Sequence, residues 1–317
     1  MTLSGTSGRR AHLDGTAVGC MVLLCALWGL QQVAIKVANA GVSPILQGGL
    51  RSAGAVLLLW AWSAMRGQRL LARDGAFWPG IAAGLLFAVE FLLIYVGLAY
   101  TSASRGVLIL YTAPFWTALG LHLTVPGERL TRIQGVGLAC AFVGVAVAFT
   151  DALRLPTWRE LTGDLMLLLA GILWAATTVT IRATALIRVP AAKTLFYQLG
   201  ISALALPLAS LAVGEPGIVA LTPVVVGSLL FQTVVVAFAS YLTWFWLITR
   251  YPASRLSAFS FLTPLFGVLA GGLLLAEPIT PALIAALALV AVGINLVNRK
   301  SAPLPKRVPE PAGAGTD

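Results

Sequence analysis

The chain has 317 residues, of which 59% are hydrophobic and only 10% are charged, and its mean hydropathy is +0.92. Soluble domains carry about 25% charged residues, so this composition excludes an ordinary soluble globular protein and indicates a membrane protein. A formal net charge of +10 would point a soluble protein towards nucleic acid, but here the positive charge follows the loops between apolar segments.

Apolar segments of about 18–25 residues follow one another along the chain, and each is long enough to cross a bilayer as a helix. We predict an all-α polytopic membrane protein with ten transmembrane helices, at 16–38, 44–65, 76–99, 104–122, 132–150, 163–184, 193–213, 223–248, 254–275 and 280–298. Tails at 1–15 and 299–317 flank two five-helix halves, 16–150 and 163–298. The first helix resembles a signal peptide, but Leu27-Trp28 recurs as Leu173-Trp174, which favours a helix that belongs to the fold.

A repeat at a spacing of 150 residues (255 − 105 = 150 at the arginines) relates the two halves. The related positions are Arg105 and Arg255, Pro114 and Pro264, and the acidic turns Pro126-Gly127-Glu128 and Ala276-Glu277-Pro278. Because each half has an odd number of helices, the second half enters the membrane upside down. Inverted repeats are typical of secondary transporters, whose site lies near the midplane between the halves.

The distribution of Lys and Arg predicts the orientation. With the N-terminus in the cytoplasm, four cationic residues lie outside (Lys36, Arg105, Arg154 and Arg159) and Arg51 lies within a helix. The other sixteen lie inside: Arg9, Arg10, Arg66, Arg69, Arg73, Arg129, Arg132, Arg182, Arg188, Lys193, Arg250, Arg255, Arg299, Lys300, Lys306 and Arg307. The positive-inside rule therefore places both termini in the cytoplasm, and we expect a location in the bacterial inner (plasma) membrane.

Several of these segments together resemble the EamA-type branch of the drug/metabolite transporter superfamily. The residues that carry the resemblance are Leu27-Trp28-Gly29, Arg51, Tyr100-Thr101-Ser102-Ala103, Ala113-Pro114, Pro126-Gly127-Glu128, Leu262-Thr263-Pro264 and Ala276-Glu277-Pro278. The resemblance covers roughly 16–298. It implies a ten-helix fold of two inverted five-helix repeats around a central cavity, and the efflux of small metabolites, amino acids among them.

Two ionisable residues, Arg51 and Glu90, lie well inside adjacent predicted helices, about 10 Å and about 14 Å from their outer ends at 1.5 Å per residue. Ionisable groups at such depth are costly and are candidates for function. One interpretation is a buried ion pair that fixes helix packing, which we favour because pairing hinders proton uptake by the carboxylate. The other is a site in which Arg51 attracts a carboxylate and Glu90 carries a proton.

Shared helix faces that mix aromatic and polar side chains indicate a cavity for an amphipathic ligand. The predicted cavity residues are Trp28, Gln32, Arg51, Glu90, Tyr111, Phe115, Trp174, Thr178, Trp244 and Phe261. Pro114 and Pro264, each about midway along a predicted helix, are candidate hinges or static kinks. Neither a phosphate-binding loop nor a metal-binding motif occurs, so we expect no cofactor, no metal and no ATP-driven pumping by this chain alone.

These features predict a secondary transporter that exports small metabolites, amino acids or related amphipathic compounds, by alternating access, and not an enzyme. The alternatives are an uncoupled facilitator (uniporter) of the same solutes, an intramembrane enzyme and a non-transporting partner protein. The expected partners are a small-molecule substrate and the lipid bilayer, with no nucleic acid. A monomer is compatible with this architecture, and the oligomeric state stays open.

Overall fold

The structure is a computed structural model, and it describes residues 12–101, 103–153, 155–275 and 281–299. Regular structure within these residues is helical, apart from an isolated antiparallel bridge between Val42 and Ile218. The predicted turn Ala276-Glu277-Pro278 and most of the two predicted tails lie outside the described residues. The all-α prediction is confirmed for the described part of the chain.

The described part of the first half contains six α-helices, which are α1 (Gly15–Ala38), α2 (Pro44–Met65), α3 (Phe77–Leu98), α4 (Ala103–Leu110), α5 (Ala113–Thr124) and α6 (Arg132–Ala148). The second half contains α7 (Trp158–Ala183), α8 (Ala191–Ala212), α9 (Pro223–Leu230), α10 (Tyr241–Arg250), α11 (Ala253–Ser257), α12 (Leu262–Leu275) and α13 (Pro281–Asn298). A π-helical segment, Phe231–Ser240, joins α9 to α10, and a 3₁₀ turn, Ala258–Phe261, joins α11 to α12. Two further 3₁₀ turns are Thr150–Leu153 and Ala185–Arg188.

The start of α7 differs from the predicted start at 163 because a capping box begins the helix earlier. The Thr157 hydroxyl accepts a hydrogen bond from the backbone N–H of Glu160, and the Glu160 carboxylate accepts one from the backbone N–H of Thr157. This reciprocal arrangement satisfies backbone donors at a helix N-terminus. The Thr-x-x-Glu spacing in the sequence was the signal for it.

Two helices predicted as continuous, at 104–122 and 254–275, are each interrupted just before a proline. α4 ends at Leu110, four residues before Pro114, and the 3₁₀ turn between α11 and α12 ends three residues before Pro264. Proline lacks a backbone N–H, and its ring clashes with the carbonyl four residues earlier. The irregular backbone therefore lies where each proline disrupts the preceding turn, at related places in the two halves.

Among the described residues, eight helical stretches are long and apolar enough to cross a membrane, so the chain is a multi-pass membrane protein. They are Gly15–Ala38, Phe77–Leu98, Arg105–Thr124, Trp158–Ala183, Ala191–Ala212, Pro223–Arg250, Ala253–Leu274 and Pro281–Asn298. The two remaining predicted spans, α2 and α6, fall outside this set. α2 carries Gln47 and Arg51, which lower its hydropathy, and α6 has only 17 residues.

Most of the extensive helix packing joins one half to the other. α6 packs on α13, α2 on α8, α3 on α7, and α1 on α12 and on the π-helical segment. Glycines allow the closest approaches: a Cβ atom on Gly29 of α1 would lie 2.7 Å from the Gly267 nitrogen of α12. Small residues permit such backbone proximity between membrane helices. The space at the centre of the bundle is therefore lined from both halves.

Candidate functional site

A cavity of about 380 Å³ lies between the two halves. The first half contributes residues of α1, α2, α3 and α4, and the second half contributes residues of α7, α8 and α10. Its volume is at the small end of the range for ligand sites, about 300–1,000 Å³. A site of this size suits a small metabolite.

The cavity opens at one end of the bundle and is closed at the other. Its lining includes Gln32 of α1 and Asn39 just after α1, both exposed, and Ala99 at the C-terminal end of α3. At the opposite end the lining side chains of Trp244 and Phe245 are 6% and 5% exposed. A ligand therefore has a route to the cavity from the end where α1 and α3 terminate.

Aromatic side chains hold the closed end in a fixed arrangement. The indole N–H of Trp28 donates a 2.9 Å hydrogen bond to the Ser240 hydroxyl, which joins α1 to the π-helical segment. Trp28 also packs edge-to-face on Trp244, with 5.8 Å between ring centroids, and Tyr111 packs likewise on Trp174 at 5.8 Å. Edge-to-face pairs at these separations are favourable geometries for aromatic rings.

The structure brings seven of the predicted cavity residues together in the lining: Trp28, Gln32, Glu90, Tyr111, Trp174, Thr178 and Trp244. Phe115 and Phe261 lie outside the lining and pack on Phe142 of α6 and on each other. The shared face predicted for Tyr111 and Phe115 assumed a continuous helix. Because the chain is interrupted at Tyr111 and Thr112, the four-residue spacing no longer aligns the two side chains.

Arg51 lies behind the lining, on the far side of Phe91. Arg51 is 1% exposed, and its guanidinium carbon lies 4.3 Å from the centroid of the Phe91 ring. Its three side-chain nitrogens have no hydrogen-bond partner. Glu90 is 6% exposed and faces the cavity. The buried ion pair of Arg51 and Glu90 that we favoured from the sequence has no hydrogen bond in this conformation, although the two side chains are close enough to interact electrostatically.

An ion pair that joins the two halves flanks the open end. Arg105 of α4 pairs with Asp164 of α7, and both side chains are less than a tenth exposed. The Thr101 hydroxyl donates a 2.8 Å hydrogen bond to the same carboxylate. Asp164 precedes the lining residue Leu167 by three positions, so this pair lies beside the cavity mouth.

A second inter-half ion pair lies beyond the closed end. Arg182 of α7, one turn after the lining residue Thr178, pairs with Glu128 in the turn before α6. Arg182 also donates a 2.6 Å hydrogen bond to the Ile248 carbonyl, and Glu128 accepts from the backbone N–H and the hydroxyl of Ser254 at 3.2 and 3.3 Å. These contacts tie α7, α10, α11 and the Glu128 turn together.

Sequence reasoning missed these ion pairs and several lining residues. The missed lining residues with polar side chains are Gln31, Tyr95, Thr177, Gln198 and Tyr241. One sequence signal could have pointed to Asp164 as a residue with a structural partner. Asp164 is related to Asp14 by the 150-residue spacing (164 − 14 = 150), and Tyr251 is related to Thr101 in the same way (251 − 101 = 150). The Tyr251 hydroxyl donates to Asp14 at 3.0 Å, as the Thr101 hydroxyl does to Asp164.

The fold and the cavity define a multi-pass helical membrane protein with a ligand-sized chamber between two halves. A family model described as the EamA-like transporter family matches the chain twice, over residues 15–150 and 161–299. The chain therefore belongs to the EamA-like transporter family, which confirms the resemblance seen in the sequence. Membership of this family and relatives named as transporters also confirm the prediction of a transporter, not an enzyme.

Three comparisons illustrate the relationship. The chain is 29% identical to the uncharacterized transporter YvbV of Bacillus subtilis over 283 residues, covering 89% of this chain and 91% of that protein. It is 28% identical over 289 residues to a probable amino-acid metabolite efflux pump of Salmonella typhimurium, covering 87% and 92% of the two chains. A protein of known crystal structure shares the fold, with a TM-score of 0.76 at 19% identity over 90% of this chain and 96% of that one.

Proposed function

We propose that this protein is a secondary transporter of the drug/metabolite type, which exports small amphipathic metabolites such as amino acids by alternating access. The observation that carries the proposal is the cavity between the halves, which is open at one end and closed by buried aromatic side chains at the other. A site that opens to one side at a time is the requirement of alternating access. The Salmonella relative, named as a probable amino-acid metabolite efflux pump, supports both the substrate class and the direction.

The proposed architecture is ten transmembrane helices in two inverted repeats, 16–150 and 163–298. The pattern of helix packing supports it, because exchanging the halves converts each of the most extensive contacts between helices into another observed contact. The packing of α3 on α7 becomes that of the π-helical segment on α1, and the packing of α5 on α7 becomes that of α12 on α1. Because α2 corresponds to α8 and α6 corresponds to α13, the exchange leaves the contacts of α2 with α8 and of α6 with α13 unchanged. A pseudo-two-fold axis in the membrane plane would produce this pattern.

We further propose that the helix interruptions before Pro114 and Pro264 act as the hinges of the rocking motion. Both prolines are buried at related positions, and each follows a break in regular helix next to the aromatic closure. Irregular backbone at membrane depth is tolerated where it is buried in protein or lines a cavity. In transporters such breaks mark the binding region.

The transport proposal is tested with purified protein in liposomes, by uptake of labelled amino acids with and without a pH gradient. We expect saturable flux of at least one amino acid. If the pH gradient accelerates flux and Glu90→Gln abolishes that acceleration, transport is coupled to protons. If neither the gradient nor the substitution changes the flux, the protein is an uncoupled facilitator. Absence of flux and of any ligand-induced thermal stabilisation, across a broad metabolite panel, contradicts the proposal.

The orientation is tested with reporter fusions, since we propose that both termini lie in the cytoplasm of a bacterial inner (plasma) membrane. Fusions after Arg73, Arg132 and Arg188 should report a cytoplasmic location, and one after Arg159 should report an external location. A cytoplasmic signal after Arg159 would contradict the inverted arrangement of the halves.

A further inference from the structure

The cavity has one acidic side chain in its lining and one basic side chain just behind it. Glu90 is the charged residue among the described lining residues, and the remainder of the lining is aromatic, aliphatic or neutral and polar. The guanidinium of Arg51, buried behind Phe91, supplies the opposite charge. The site therefore has a positive end at Arg51 and, at a separate place, a negative end at Glu90 when its carboxylate is ionised.

The positive end has unused hydrogen-bonding capacity. None of the three Arg51 side-chain nitrogens has a hydrogen-bond partner, and the same holds for the Tyr95 hydroxyl and both polar atoms of the Gln198 side chain. Tyr95 is 8% exposed and Gln198 is 0% exposed, yet both line the cavity. Buried polar groups without partners cost free energy, and the cost is greatest for a charged group. A ligand that supplies hydrogen-bond acceptors at this end would remove this free-energy cost.

The residues around Arg51 favour an anion as that ligand. Arg51 and Tyr95 lie close together, because a Cβ atom on Gly48, one turn before Arg51, would be 3.2 Å from the Tyr95 hydroxyl. The guanidinium and the phenol are both donors, and a planar carboxylate accepts from a guanidinium in a bidentate geometry. The Gln198 amide, on the helix α8 that packs on α2, is a further donor in the lining. Phe91 covers the guanidinium, so its ring must turn aside to admit the carboxylate.

The negative end suits an ammonium group. Among the described residues, the Glu90 carboxylate forms no hydrogen bond and no ion pair within 4.0 Å. Phe87 and Trp28 lie in the same wall and present aromatic rings, which attract cations through their faces. An ammonium group would pair with Glu90 while its neighbouring carboxylate reaches Arg51.

We propose that the cavity recognises the zwitterionic head of an amino carboxylate, with its ammonium group at Glu90 and its carboxylate at Arg51, Tyr95 and Gln198. This inference rests on the proposed transport function. The zwitterion supplies a cation to Glu90 and an anion to Arg51, and so satisfies both ends. A ligand with an amine alone leaves Arg51 without a partner and is repelled by it, and a ligand with a carboxylate alone is repelled by Glu90. The apolar remainder of the cavity accommodates the side chain.

The experiment measures binding to purified protein by calorimetry, using triads of probes that share one side chain. L-Phenylalanine, phenethylamine and 3-phenylpropionate form the first triad, and corresponding triads built on leucine and methionine extend it. In wild-type protein we expect a zwitterion to bind at least about tenfold more tightly than either relative with one charge, since tenfold corresponds to about 1.4 kcal/mol.

The variants assign the two ends. Glu90→Gln removes the group that repels a carboxylate, so the carboxylate probe should then bind as tightly as the zwitterion. Arg51→Gln removes the group that repels an amine, so the amine probe should then bind as tightly as the zwitterion. Arg66→Gln, which removes a cation just after the same helix and outside the cavity, is the matched control and should leave the preference unchanged. If Arg51→Gln does not fold, Arg51→Lys keeps the charge and loses the bidentate geometry, so it should retain part of the preference.

Several outcomes would overturn the inference. They are equal binding of the amine and the zwitterion, equal binding of the carboxylate and the zwitterion, a uniform loss for all three probes in both variants, or no binding of any triad. Flux in liposomes separates this failure from that of the proposed function. Transport of an uncharged or singly charged solute would keep the function and discard the zwitterion site, and the absence of any flux and any binding would discard both.

Discussion

The ion pair between Arg182 and Glu128 should be a major source of stability for the closed end of the cavity. The two side chains are 0% and 3% exposed. We predict that Arg182→Met and Glu128→Gln each destabilise the protein strongly, whereas the double variant loses less than the sum. The physical reason is that each single change leaves a buried polar or charged group without its partner.

The expected magnitude follows from what each variant leaves behind. Removing one partner of a buried pair costs about 3–5 kcal/mol in soluble proteins. Arg182→Met leaves the Glu128 carboxylate with contacts that include two from Ser254, and Glu128→Gln leaves the Arg182 guanidinium with the Ile248 carbonyl. These remaining contacts moderate the loss, so we expect about 3 kcal/mol for each single variant and a coupling energy of about 2 kcal/mol.

The assay is reversible unfolding in mixed detergent micelles as the fraction of denaturing detergent rises, followed by tryptophan fluorescence. The wild type, both single variants and the double variant form a double-mutant cycle. Arg159→Met is the control, because Arg159 is an exposed arginine of the same helix, α7, and its loss should change stability by less than about 0.5 kcal/mol.

Two results would refute this reasoning. If each single variant loses less than about 1 kcal/mol, the pair behaves like a surface ion pair and does not secure the closed end. If the single losses simply add in the double variant, Arg182 and Glu128 contribute independently and the coupling inferred from the geometry does not exist.

Two further predictions concern other inter-half contacts. Lys193 donates a 2.7 Å hydrogen bond to Asp74 and lowers the pKa of that carboxyl below its ordinary value. The stability that this ion pair contributes is therefore present above about pH 4, and it is lost as the pH falls through the lowered pKa of Asp74. Asp74→Asn should destabilise the protein at pH 7 by up to about 1 kcal/mol, because the Asp74 side chain is 35% exposed and solvent screens its charge. The difference from wild type should shrink in acid melts, and a pH-independent difference would contradict this prediction. Gly29→Ala should lower the free energy of unfolding by about 1–3 kcal/mol in the same assay, because the added Cβ meets the Gly267 backbone. Gly19→Ala, on the same helix but facing open space, should be neutral or stabilising. Equal effects of the two substitutions would refute the packing argument.

The sequence by itself determined the class of protein, the helical segments and the repeat. Apolar segments of membrane-spanning length are a local property, because the backbone of each span must satisfy its hydrogen bonds internally. The 150-residue spacing marked Pro114 and Pro264 as related positions and so located the two interruptions. The mixed faces of α1, α4, α7 and α10 were also visible, because helical periodicity places residues four apart on one side.

The tertiary structure alone decided which charges meet. Helix depth suggested that Arg51 would pair with Glu90, but depth does not fix the rotation of a helix about its axis, and the packing of α2 on α8 buries the guanidinium behind Phe91. The same limit hid the partners of Arg105 and Arg182, which lie 59 and 54 residues away in the chain. The interruption at Tyr111 and Thr112 likewise redirects Phe115 towards α6, because a break in the helix changes every side-chain direction beyond it.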